Sequence, residues 1–172
     1  MKNNKWILNI FLLTFFISLM FNLFTNVVVI SLNIYFSIVL LIFMIFIGVL
    51  FDIIGVAILA DKESHHHARA TKKAKGAKTS LILLKNADKM SNISNDVIGD
   101  ISGIISGGIG ALIALHLHNT YNINIILINL VIGSLIASIT VGFKAVGKSI
   151  AIKHSKKIVE YVGNLIEFFI RK

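Results

Sequence analysis

The stretch "WILNIFLLTFFISLMFNLFTNVVVISLNIYFSIVLLIFMIFIGVLF", residues 6–51, contains not one charged side chain. A helix of about 20 apolar residues already crosses the hydrocarbon core of a bilayer, roughly 30 Å. This stretch is more than twice that length, so it reads as two spans with a short uncharged break near "SLNIY". Lys2 and Lys5 ahead of it give the start the look of a signal peptide. The apolar core is long, however, and no small-x-small cleavage site follows it. The expectation is therefore an uncleaved first span.

Working outward, the remaining chain supplies two further apolar segments. The expected spans are about 6–28, 36–60, 93–115 and 123–146. A charged segment between the second and third, about 63–89, is rich in Ala, Lys and Leu and reads as a single basic helix. After the fourth span the tail, 149–172, places Ile158, Val162, Leu165, Ile166 and Phe169 at helical spacing. Glu160, Glu167 and the clustered lysines argue that this helix lies in the interface rather than crossing it. The fold class expected is an all-α integral membrane protein, one membrane domain of four transmembrane helices with a cytoplasmic basic helix and a C-terminal amphipathic interfacial helix.

The 172 residues carry a net charge of +9. A basic excess often marks a nucleic-acid partner, but here the bases flank apolar segments, which is a topology signal. Two lysines precede span one, eight Lys and Arg lie between 62 and 89, and six follow 146. The two other loops carry none. By the positive-inside rule both termini are expected in the cytoplasm of a multi-pass protein of the inner or plasma membrane. The bilayer is the expected partner, with anionic headgroups against the basic segment 62–89. With no Cys there is no disulfide or thiolate metal site, and with no Pro no span carries a proline kink.

Four charges fall inside the expected spans: Asp52, Asp96, Asp100 and Lys144. Each costs about 2.5–3.5 kcal/mol at a span's centre by the milder scales, so each should face protein or water. Asp52 lies nine residues before Asp61, about 13 Å along a helix. Asp96, Asp100 and Lys144 are likewise close to the basic flanks, so three spans bring carboxylates and an ammonium to similar depths. On a regular α-helix Asn92, Asn95, Asp96, Gly99, Asp100, Gly103 and Gly107 share one face. Gly99, Gly103 and Gly107 follow small-xxx-small spacing, and span four offers Gly133, Ala137, Ser138 and Gly142. Spans three and four are expected to pack through these faces, with the carboxylates turned into the bundle.

Two readings of the charges stay open at this level. Asp52, Asn95, Asp96 and Asp100 with Asn92 and nearby hydroxyls make an oxygen-rich site suited to a hard divalent cation. Alternatively Asp52 or Asp100 pairs with Lys144 and the cluster only fixes packing; Lys144 also has the option of snorkelling. The run His65–His67 points in successive directions on a helix and reads as solvated rather than chelating. No nucleophile–base set is present, so an enzyme is not expected, nor a permanently bound cofactor.

The phrase "GAKTSLILLKNADKMSNISNDVIGD", residues 76–100, resembles the transmembrane domain of the CNNM/CorB/CorC family, linked to Mg²⁺ and Co²⁺ transport. In that family a basic helix ends in K-x-L-L-x-N-P-D-R, here "LILLKNADK" at 81–89. A span rich in Asn, Gly and small residues follows, as "SNDVIGDISGIISGGIGALIAL" does. The family's last span ends in G-E-x-x-P-K-x-x-A, matched in register by "FKAVGKSIA" at 143–151. The resemblance covers roughly 51–169. It implies a dimer and Mg²⁺ or Co²⁺ as the ion moved. It also departs from the family: the glutamate implicated in cation binding falls on Lys144, the proline on Gly147, and the serine-rich S-x-S-E-T-A becomes "DIIGVA" at 52–57. No CBS-domain pair lies within these residues, and the first span is an addition.

Overall fold

The structure is a computed structural model that describes residues 2–31 and 33–170. Its elements are α1 (Lys2–Ser31), α2 (Ile34–Ala60), α3 (Glu63–Thr71), α4 (Ala77–Lys85), α5 (Ala87–Asn92), a π-helical segment (Ile93–Gly99), α6 (Asp100–Tyr121), α7 (Ile125–Lys153) and α8 (Ser155–Ile170). No strand occurs among the described residues.

Among the described residues, three helices are long and apolar enough to cross a membrane: Ile34–Ala60, the continuous run Ala87–Tyr121, and Ile125–Lys153. In α1 the described apolar stretch is Leu8–Leu23, shorter than those three. The side chains of 6, 7, 24 and 26–28 from the first expected span, and Arg171 and Lys172 of the tail, lie outside the described residues.

The turns have local causes. Asn122 ends α6 in the left-handed conformation, φ 53°, with its N–H on the His118 carbonyl at 2.9 Å. Asn tolerates that conformation better than a branched residue. Asn124 then accepts the Ile126 N–H at 2.8 Å and opens α7 as an N-cap. Thus α6 runs on through His116 and His118, and only 122–124 form the turn.

The chain divides into two compact units. The first comprises Met1–Gly48 and Gly99–Gly142. Here α1 packs on α6. Along α6 Ile101, Ile105, Ile109 and Ile113 are buried, together with Ser102, Ser106 and Gly110. Gly48 sits against Ser102, and Gly110 against Ile132 and Ile136 of α7. The outward faces of α2 and α7 in this unit carry exposed Phe36, Phe43, Phe46, Leu127, Leu130 and Val131, the surface a lipid-facing helix presents.

The second unit comprises Val49–Ile98 and Phe143–Lys172. Its core joins Ala57 and Ile58 of α2, Leu84 of α4, Ala151 of α7 and Val159 of α8. The basic segment is not the single helix expected. It breaks at 72–76 and again at Asn86, so that α4 packs on both α3 and α8. Gly76 adopts φ +69° at the first break, with Asn164 of α8 so near that a Cβ has no room. Local propensity favours a continuous helix, but burying Ala77, Ser80, Leu83 and Leu84 needs a chain reversal. The tail is corrected as well: 149–153 still belong to α7, and the separate helix starts at Ser155.

Candidate functional site

In the second unit, Asp52 on α2 is 6% exposed although it carries a formal charge. Its Oδ1 lies 3.6 Å from Nζ of Lys144 on α7. Its Oδ2 is enclosed and has no hydrogen-bond partner. An isolated buried carboxylate is strongly unfavourable, so Lys144 supplies a necessary part of the compensation.

One helical turn after Asp52, Gly55 faces Asn95. Any Cβ at Gly55 would collide with the Asn95 amide, so glycine is what admits that side chain against α2. Asn95 Nδ2 donates to Oγ of the buried Ser91 at 3.3 Å, while Asn95 Oδ1 is enclosed without a partner. The carboxylate oxygen and the amide oxygen are thus two buried acceptors that the protein leaves without a donor. Most buried polar atoms are satisfied, so these two oxygens are informative, as is His66 Nδ1, which is also enclosed without a hydrogen-bond partner.

Asn95 is carried by the π-helical segment Ile93–Gly99. Hydrogen bonds from i to i+5 add a residue to the turn, and such segments recur at functional sites. Asp96 and Asn92 are exposed, and so is Asp100 at the start of α6, rather than turned into the bundle. The face turned inward is the apolar one instead: Val97, Ile101, Ile105 and Ile109, four residues apart, are buried, because branched apolar side chains bury at less cost than unpaired carboxylates. Gly99 is buried, whereas Gly103, Gly107, Gly133 and Gly142 would meet nothing within 4 Å if they gained a Cβ. The expected glycine-lined contact between spans three and four is therefore replaced by Gly110 against α7. Among the described residues, no group of three or more His, Asp or Glu side chains converges as a metal cage. Gly147, in the register of the family's proline, is buried against Ile53 and Val49.

The histidine run is organised, contrary to the solvated reading. His66 Nε2 lies 2.6 Å from Asp61 Oδ2, and both side chains are fully buried. His65 Nε2 reaches Glu160 of α8 at 2.8 Å, and Arg69 pairs with the same carboxylate at 3.3 Å. His67 remains exposed and pairs with Glu63 on its own helix at 3.3 Å. The signal for His66 was Asp61 just before α3; the signal for Glu160 lay 95 residues away and had no local trace.

Compared with family models, with curated proteins and with solved structures, the chain finds no match in any of the three.

Proposed function

We propose that this chain is a four-span membrane protein, both termini cytoplasmic, that moves a divalent cation such as Mg²⁺ or Co²⁺. In this reading it is a divergent relative of the CNNM/CorB/CorC membrane domain and works as a dimer. The observation that carries the reading is the pair of enclosed, unpartnered oxygens, Asp52 Oδ2 and Asn95 Oδ1, beside apolar membrane-length helices. A carboxylate, an amide and the Ser91 hydroxyl are hard oxygen donors. They suit a cation that keeps part of its water shell, as Mg²⁺ does. Asp96, being exposed, serves on the path rather than as an enclosed ligand. Lys144 competes with the cation for Asp52 and must yield when it binds.

The test is Mg²⁺ or Co²⁺ flux into proteoliposomes. Wild-type vesicles should fill faster than empty ones, and Asp52→Asn and Asn95→Ala should lose most of the difference. Wild-type flux equal to that of empty vesicles sinks the proposal. A second reading is favoured by the 3.6 Å Asp52–Lys144 contact: the pair is structural and the protein is a non-transporting scaffold or partner subunit. Lys144→Gln separates the two. Removing a competitor raises apparent cation affinity, whereas removing a structural partner lowers thermal stability with no flux to change.

A further inference from the structure

We propose that the cavity bounded by the end of α3, the start of α4 and the C-terminal turns of α8 is a binding site for a phosphate group. Lys73, Lys75 and Lys78 are its cations, and Glu167 is the internal anion that occupies it. This site is separate from the Asp52 cluster and does not depend on the cation reading.

The cavity measures about 380 Å³, and its charged lining is three ammonium groups against one carboxylate, Glu167. That volume is at the lower end of what small-molecule sites use. The three lysines come from the break at 72–76 and the first turn of α4, so the same chain reversal that builds the second unit gathers them around one opening. Glu167 reaches across from α8 and accepts the Gly76 N–H, the backbone donor that immediately precedes α4. A carboxylate oxygen thereby holds the position a phosphate oxygen would take, among cations that outnumber it. The remaining positive charge is matched by a dianionic phosphate better than by one carboxylate.

An independent observation concerns the surroundings. On α8, Tyr161, Leu165, Phe168, Phe169 and Ile170 are exposed large apolar side chains, and they flank Glu167 in sequence. An apolar helix surface beside a lysine cluster is the arrangement of a helix lying among phospholipid headgroups. It brings the mouth of the cavity to the depth at which lipid phosphates occur. The ligand chemistry is the phosphate group, carried either by an acidic lipid or free in solution.

The experiment uses the full chain in uncharged detergent micelles, titrated with inorganic phosphate, with short-chain phosphatidic acid, and with phosphatidylcholine of equal chain length, and followed by phosphorus NMR. The combined variant Lys73→Gln, Lys75→Gln, Lys78→Gln should raise Kd at least about tenfold, since it removes all three cations of the lining. The charge-matched variant Lys148→Gln, Lys153→Gln, Lys156→Gln should not. Glu167→Gln should tighten binding relative to Asp88→Asn, which removes the same charge from exposed α5. If the triple change prevents folding, Lys75→Gln and Glu167→Gln carry the test. Binding of both phosphate and phosphatidic acid supports recognition of the group itself, and binding of phosphatidic acid alone supports the lipid source. Three results overturn the proposal: neither probe binding, phosphatidylcholine binding equally well, or both triple variants losing affinity alike.

Discussion

The two units of this protein are held together in different ways. In the first, α6 buries isoleucines at 101, 105, 109 and 113 beside α1, and Ser106 satisfies its hydroxyl on its own helix, donating to the Ser102 carbonyl at 2.8 Å. In the second, helices distant in sequence are joined by polar contacts: His65 to Glu160, Ser80 to the Val159 carbonyl at 3.2 Å, and Gly76 to Glu167. An apolar helix in lipid is already satisfied along its backbone and needs only shape to pack. A polar segment folded against a tail has to place partners for each buried group, so its structure is specified pair by pair.

That contrast can be broken at defined places. The largest effect is expected from Asp61→Ala, which leaves the fully buried His66 without its partner; about 3 kcal/mol of unfolding free energy should be lost, read from denaturant titrations in micelles. Gly163→Ala comes next. Its Cβ would meet Ser80 Oγ and lie 2.9 Å from the Gly76 carbonyl, so α4 and α8 must separate. Overpacking of this kind costs about 2 kcal/mol. The smallest effect belongs to the first unit: Gly107→Ala adds a methyl where nothing lies within 4 Å, and the change should stay within about 0.5 kcal/mol. A large loss there would mean that the exposed glycine face is covered by another copy in the micelle, and analytical ultracentrifugation would then report a dimer. Equal losses at Gly163 and Gly107 would erase the distinction between the units.

Much of the helical plan was legible because it depends on local hydropathy. The expected span 36–60 corresponds to Ile34–Ala60, and 123–146 lies within Ile125–Lys153 apart from its first two residues. Asp52 and Lys144 stood out as charges in apolar helices, and they do meet. What escaped has a common origin. Periodicity separates a polar from an apolar face at 92–107, but not which of the two the neighbouring helices cover. His66 looked solvated because three adjacent histidines point in three directions; only the neighbouring Asp61 and the fold of α3 decided which one was enclosed. The break of the basic segment was masked by good helix formers, with Gly76 as the single local hint.

The sequence by itself determined that long apolar segments dominate this chain, with the basic residues other than Lys144 gathered before, between and after them. Those are properties of each residue and its near neighbours, governed by transfer from water to hydrocarbon. Only the tertiary structure decided which buried oxygens lack donors, which lysines share a cavity, and which carboxylates reach them. Asp52 meets Lys144 and Glu167 meets Gly76 across 92 and 91 positions of chain. Contacts at such separations depend on how helices cross, and a side chain's partner is set by that crossing rather than by its own identity.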